Sequence, residues 1–221
     1  MGLDIDFMIK NISVFLDAMK ITLEIAFLGI VLSLIIGIIT SNLIYFKVPV
    51  LSKISKIYIE LSRNTPLLIQ LFFLYYGLTK FGISFSGFEC GVIGLSFLGG
   101  SYMSESIRAG LEAVPKGQIE SGISIGLSKF QIFRLIILPQ AFSIAIPAIG
   151  ANSLFLIKET SIVGSIAVAE LMFVTKDIIG MQYKTSEALV MLIIAYLIIL
   201  LPISIFIRYL EKRGRYAEYG V

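Results

Sequence analysis

The chain has 221 residues, 57% of them hydrophobic and 15% charged, with a mean hydropathy of +0.93 and a formal net charge of +3. A soluble domain of this size cannot hide several apolar runs of about 20 residues from water, so the composition defines a membrane protein and excludes disorder, collagen and disulfide scaffolds. Cys90 has no second cysteine to pair with and the chain has no histidine, which removes a ligand or base from the common zinc, haem and Ser-His-Asp chemistries and disfavours most enzymes.

Residues 1–20 mix Asp4, Asp6, Lys10, Asp17 and Lys20 with Phe7, Ile12, Phe15 and Leu16 and read as an external interfacial amphipathic helix. The acidic start and the long apolar stretch behind it differ from a cleavable signal peptide. Residues 21–46 carry Glu24 as their single charge and give about 39 Å of helix, a full crossing with length to spare. Residues 66–78 give only about 20 Å, so the second span must recruit residues back to about Ile54. That brings Glu60 and Arg63 into the membrane ahead of a kink or break at Pro66. The third run, from Cys90 to about Gly110, holds five glycines and then Ser101, Ser104, Glu105 and Arg108, a face suited to protein or water. Residues 141–157 form a fourth span interrupted by Pro147 and Gly150 and carrying Asn152; residues 188–207 form a fifth, with Pro202 near its end. The expectation is an all-α membrane protein of five transmembrane helices in a single domain, residues 1–221.

The basic residues orient it. One set of alternate loops holds Lys47, Lys53 and Lys56, then Arg108, Lys116, Lys129 and Arg134, then Arg208, Lys212, Arg213 and Arg215; the other holds Lys10, Lys20, Lys80, Lys158, Lys176 and Lys184. The positive-inside rule makes the first set cytoplasmic, so the N-terminus is expected outside and the tail, residues 208–221, inside. This alternation reflects membrane orientation, and nucleic acid is no expected partner.

The connection over residues 112–139 is dense in structural punctuation. Pro115 and Gly117 stop the incoming helix, residues 118–125 suit a short helix, and Gly126 suits the left-handed position that ends one. Ser128 with Gln131 makes a capping box, Leu127 can staple against Ile132, and the second helix is expected to end at Leu138, before Pro139. The product is a cytoplasmic helix, glycine turn and helix with a small-residue surface around Ser121, Gly122, Ser124 and Gly126, open to close approach by another protein. A plain amphipathic connection lying on the bilayer is the alternative that physics alone leaves open.

Glu120-Ser121-Gly122, then Gly126, then Ile136-Ile137-Leu138-Pro139 resembles the E-A-A-x-x-x-G-x(9)-I-x-L-P loop of binding-protein-dependent ATP-binding-cassette importers, with Ser121 and Gly122 in place of the two alanines. The run from Glu60 to Gln70, the run from Tyr102 to Gly110, and Lys158-Glu159-Thr160-Ser161 look like the branch of permeases for polar amino acids. The resemblance covers nearly the whole chain. It implies a type I importer permease of the MetI-like fold in the cytoplasmic (inner) membrane, with the loop as coupling helix and Glu120, Ser121, Gly122, Gly126, Leu127 and Pro139 as its coupling residues. It also implies a cytoplasmic ATPase partner carrying ATP and magnesium, a second permease subunit (identical or homologous), an external solute-binding protein and an amino-acid substrate. No cofactor is expected on this chain: Gly117 and Gly122 have the spacing of a phosphate loop, but Ile123 and Ser124 follow where Lys and Ser or Thr are needed. No metal site is expected either.

Ionisable residues inside a membrane are functional candidates. Glu60 with Arg63, and Glu105 with Arg108, can each neutralise one another at i,i+3. A cross-helix network between the two pairs, acting as brace or gate, is the next reading, and a substrate carboxylate on Arg63 a third. Thr65 and Pro66 at the break, with Gln70 and Asn152, complete the expected substrate pathway with Arg63; for Asn152 a helix–helix hydrogen bond competes with a pocket role. Two rivals remain at this level: a gradient-driven transporter or channel using the Glu and Arg pairs, and a membrane anchor for a cytoplasmic enzyme.

Overall fold

The computed structural model describes residues 3–219, with side chains to residue 212. Met1 and Gly2 of the expected interfacial helix, Gly220 and Val221 of the tail, and the side chains of Arg213 and Arg215 lie outside the described part. Secondary structure is entirely helical among the described residues. A short α1, Ile5–Lys10, leads into α2, Ile12–Tyr45; α3, Leu51–Asn64, and α4, Leu67–Phe72, follow, and α4 runs on through a π-turn, Phe73–Gly77, and a 3-10 turn, Leu78–Phe81. Then come α5, Gly87–Glu112; α6, Lys116–Ser124; α7, Lys129–Ile132; a second π-turn, Phe133–Ile137; and α8, Leu138–Glu159, with a 3-10 turn, Thr160–Ile166. The chain closes with α9, Leu171–Gln182, and α10, Thr185–Tyr219. Among the described residues, three helices are long and apolar enough to cross a membrane: Ile12–Tyr45, the continuous Lys129–Ile166, and Thr185–Lys212.

The centre of the bundle is α5, whose glycines and serines make it too polar to face lipid and small enough to be enclosed. Its residues Gly91, Gly94, Gly99, Gly100, Ser101 and Ser104 are all buried. On the facing helix α2, every fourth residue from Gly29 through Ser33 and Gly37 to Ser41 is small and buried. The two backbones therefore meet closely: a Cβ on Gly37 would stand 2.6 Å from the Met103 Cβ, and one on Gly99 would collide with the Ser33 hydroxyl and with Leu156 of α8. Between them lies an apolar core that includes Ile25, Leu71, Leu95, Met103 and Leu156. A second core binds α9 and α10 to α2 through residues such as Phe15, Leu171, Ile178 and Met191.

Three expectations about the helices are corrected. The expected helix over residues 1–20 is not one element: α1 ends at Lys10, and from Ile12 onward the chain already belongs to the long α2. Lys184 explains the position of α1: its ammonium lies 2.7 Å from an Asp4 carboxylate oxygen, and the Asp4 amide donates to Glu187, which pins α1 to the start of α10. Pro139 does not end a helix. A proline cannot donate to the carbonyl four residues back and its ring crowds that turn; the π-turn Phe133–Ile137, with its wider bonding pattern, absorbs the defect just ahead of Pro139 and lets one rod continue. Likewise α8 passes through Pro147 without interruption, and Gly150 is where Ile207 of α10 packs against it.

The break at Pro66 is present, and the sequence around it satisfies the carbonyls it frees. The Asn64 amide donates to the Glu60 carbonyl at 2.7 Å, the Thr65 hydroxyl to Leu61 at 2.8 Å, and the Gln70 amide to Ser62 at 3.2 Å and to Thr65 at 3.1 Å. Backbone groups left without partners inside a membrane cost several kcal/mol each, so these side chains make an unwound segment tolerable there. The Tyr58 and Ser62 hydroxyls meanwhile both donate to the Phe97 carbonyl, holding α3 on α5.

Close approach at the centre should be the most sensitive feature of the fold. Gly99→Val is expected to destabilise the bundle by about 1–3 kcal/mol through overpacking. Gly180→Ala, at a helical glycine whose added Cβ meets nothing within 4 Å, should be neutral or stabilising by up to about 1 kcal/mol. Unfolding of both variants in detergent micelles measures the contrast.

Candidate functional site

The chemistry gathers in two places, a helical elbow at one end of the bundle and a polar cleft between α3, α5 and the end of α8. In the elbow, α6 ends through Ile125 to Gly126 at φ +84°, with the Gly126 amide donating to Ile123 and the Leu127 amide to Gly122. This is the glycine-terminated double bond pattern expected where a helix stops and turns at once. Ser128 then starts α7 with its capping box to Gln131 complete in both directions. Leu127 packs beside a small core containing Leu111, Val114, Ile132 and Ile137, and the Phe46 and Phe133 rings, with centroids 5.1 Å apart, bring the end of α2 to the same place.

Gly122 faces inward, contrary to the expected small-residue surface: it is buried, and a Cβ there would meet Ile136 at 2.8 Å and Ile132 at 3.2 Å. Its smallness lets α6 lie against the π-turn rather than admitting a partner. Glu120 and Ser121 are exposed, while the Ser121 and Ser124 hydroxyls bond back to their own helix. Uncovered apolar residues surround them, with Ile123 61%, Ile125 77% and Phe130 69% exposed. Pro139 lies beyond the elbow, exposed near the start of α8.

In the cleft, Glu105 is the hub. Its carboxylate takes both Nε and Nη2 of Arg108, at 3.2 and 2.7 Å, while Arg108 reaches Glu112 at 2.8 Å. Arg63 comes across from α3 to 3.8 Å from Glu105, with its guanidinium 5.3 Å above the Tyr102 ring centre. The cross-helix network therefore forms, and the expected Glu60–Arg63 pair does not: Glu60 accepts from the Asn64 amide instead. The physical reason is reach. Arg63 at the end of α3 finds a carboxylate already fixed by Arg108 together with an aromatic face, both on α5.

Arg63 stands on the wall shared by two cavities. The outer one, about 660 Å³, is lined by Lys47, Lys53, Lys56, Glu60, Arg108 and Glu112 among others. The inner one, about 260 Å³, is bounded by Thr65, Pro66, Leu98, Tyr102, Phe155 and Glu159. Glu159, the acid of this inner pocket, and Tyr102 were legible only as parts of motifs, and Phe155 only as an ordinary aromatic. Asn152 is outside the pocket lining; its amide donates to the Ser106 hydroxyl at 2.8 Å and to the Tyr102 carbonyl at 3.3 Å, joining α8 to α5. Gln70 is likewise engaged with the break in the second span rather than turned to the pocket. Among the described residues, no cluster of three or more metal-ligating side chains occurs.

The bundle thus carries two polar cavities that share Arg63 and, apart from them, an elbow with exposed apolar residues. Residues 18–216 match the family described as the binding-protein-dependent transport system inner membrane component. The probable amino-acid ABC transporter permease protein PatM of Vibrio harveyi is 37% identical over 199 residues, covering 89% of each chain. A crystal structure of an amino acid ABC transporter with histidines superposes at a TM-score of 0.89 with 30% identity, over 96% of this chain and 100% of the other. The methionine ABC transporter MetNI, in an inward-facing conformation, shares the fold at a TM-score of 0.71 and 18% identity, over 90% of this chain and 96% of its own. The chain belongs to the binding-protein-dependent transport family, in its branch of polar-amino-acid ABC permeases, and is a multi-pass protein of the inner membrane.

The geometry of the hub ranks its bonds. Double-mutant cycles on unfolding stability, using Glu105→Gln with Arg108→Gln and with Arg63→Gln, should give a coupling of about 1 kcal/mol for the bidentate Arg108 pair and under about 0.5 kcal/mol for Arg63. The opposite order would place the stronger bond across the helices.

Proposed function

We propose that this chain forms half of the translocation pathway of an ATP-driven importer for a zwitterionic polar amino acid, working by alternating access. The observation that carries the reading is the inner pocket, where one guanidinium, Arg63, and one carboxylate, Glu159, line about 260 Å³ without pairing with each other. That is the charge pattern of a free amino acid: the carboxylate meets Arg63, the ammonium meets Glu159, and Tyr102 and Phe155 take the apolar part. Thr65 and Pro66 contribute the wall at the helix break. Asn152 and Gln70 act on the pathway by holding these walls in place.

In this reading α2, the α3–α4 pair, α5, α8 and α10 are five crossings, with the N-terminus outside and the tail cytoplasmic, as the distribution of Lys and Arg supports. The elbow is the coupling helix. Glu120, Ser121, Ile123 and Ile125 offer it to a cytoplasmic ATPase that binds ATP and magnesium, while Gly122 fastens it to α7 and the π-turn. A second permease subunit completes the pathway and an external solute-binding protein delivers the substrate. The Arg63–Glu105 contact, braced by Arg108, is the gate between pocket and cytoplasmic mouth.

Gly126→Pro tests the coupling assignment. Proline cannot adopt φ +84° and has no N–H to give Ile123. The variant should insert and keep its bundle yet lose ATP-driven amino-acid uptake in proteoliposomes, and uptake at the unmodified rate would defeat the assignment. Glu159→Gln should raise the KM for a zwitterionic amino acid by roughly tenfold, the order of one charge-assisted bond, and an unchanged KM would remove Glu159 from the pocket.

A further inference from the structure

The outer cavity carries a charge imbalance that the gate does not use. Five basic and three acidic side chains line it. Arg108 is bonded to Glu105 and Glu112, Arg63 reaches Glu105, and Glu60 is engaged with Asn64. Lys47, Lys53 and Lys56 are left over, and none of the three forms an ion pair among the described residues.

Their placement is not that of lysines reaching sideways to lipid. On α3 the cavity takes Ser52, Lys53, Lys56, Ile59, Glu60 and Arg63, which share one side of a 3.6-residue helix. The exposed apolar residues Leu51, Ile54, Ile57 and Leu61 fall on the opposite side. The lysine side of the helix therefore looks into an aqueous cavity, while the bilayer or a neighbouring subunit has the other.

The rim that presents Lys47 is also strained. Lys47 and Val50 take φ of +51° and +65°, and Val50 stands in a three-residue turn closed by the Leu51 amide on the Pro49 carbonyl at 2.7 Å. A β-branched residue is an outlier in that region, and the tight turn with positive φ at its centre is rare and costly. Strain of this kind persists where surrounding structure fixes a group in place, and here it lies in the loop that carries Lys47 to the cavity.

We propose that Lys47, Lys53 and Lys56 form a second, weak binding site for a carboxylate, taken by the transported amino acid after it passes Arg63. The identity of the ligand rests on the transport reading above; the anion site itself does not. The site favours acidic and neutral amino acids over cationic ones on the way out, and it lets accumulated product occupy the mouth.

Reductive methylation with a carbon-13 label keeps the lysine charge and makes each lysine visible by NMR. The full-length chain with its copurifying subunits, in phosphatidylcholine nanodiscs, is titrated with L-glutamate, then L-glutamine, then L-arginine, with resonances assigned by single Lys→Gln variants. The expected result is a saturable shift at Lys47, Lys53 and Lys56, strongest for glutamate and weakest for arginine. Lys53→Gln with Lys56→Gln, read at the remaining Lys47 signal, should weaken binding roughly threefold. No saturable shift, an equal response at Lys80 and Lys158, or preference for arginine overturns the site. A shift that appears only when phosphatidylglycerol is added, and that amino acids do not reproduce, assigns the lysines to a lipid headgroup and overturns it too. ATP-driven uptake by the same purified complex reconstituted in proteoliposomes separates the two ideas: uptake without a lysine response defeats the carboxylate site alone, and a lysine response without uptake defeats the transport reading alone.

Discussion

Everything in this molecule depends on how closely α2 can lie on α5. In a bilayer, burial of apolar surface gives little drive for one helix to choose another, and contact has to come from packing and from hydrogen bonds across short distances. The stripe Gly29, Ser33, Gly37, Ser41 against Gly99, Gly100 and Met103 supplies both. The Ser33 hydroxyl donates to the Leu95 carbonyl at 3.3 Å. With those two rods fixed, α3 is tied to α5 by Tyr58 and Ser62, and α8 by Asn152. The polar cleft lies along α3 and α5 on either side of Arg63, while α4 beyond the break still packs on α5 through Leu67 and Leu71.

The cleft shows how a membrane protein keeps charge where charge is costly. The three carboxylates on the larger cavity each meet a donor: Glu105 and Glu112 meet Arg108, and Glu60 meets an amide. The guanidinium that has the loosest bond, Arg63, is the one on both cavities. A tight bidentate pair at that position would be a fixed wall. A contact of 3.8 Å supported by an aromatic face is strong enough to hold and weak enough to be exchanged for a substrate carboxylate.

Features set by neighbouring residues were readable in the sequence. Gly126, Ser128 with Gln131, and the break at Pro66 all follow from local backbone rules, and each is found where those rules put it. Features set by distant partners were not. The i,i+3 rule paired Glu60 with Arg63 because it sees one helix, whereas the stronger claim on Arg63 comes from Glu105 on another. Glu159 was legible only as part of the motif Lys158-Glu159-Thr160-Ser161, and only the fold brings it beside Tyr102 and Arg63. Pro139 was misread because a proline was taken as a stop, when a widened turn ahead of it serves equally well. The helix α9, capped by the buried Glu170, gave no signal at all; its first amide is satisfied by Thr22 of α2, 149 residues away.

The π-turn ahead of Pro139 has an effect on register. It adds one residue to a turn, so the helix beyond it is rotated by about 100° relative to an uninterrupted α-helix. Ile132, ahead of that offset, and Ile136, within it, meet Gly122, while Ala141 and Ala145, beyond it, meet Gly110 of α5. The two joints meet in one small core, where Ile132, Ile137 and Ala141 pack together. Removing a single residue from Phe133–Ile137 would make a more regular helix and turn one joint by about 100° against the other, so the spacing from Gly126 to Pro139 is tied to the phase in which Gly122 and Gly110 meet the same rod.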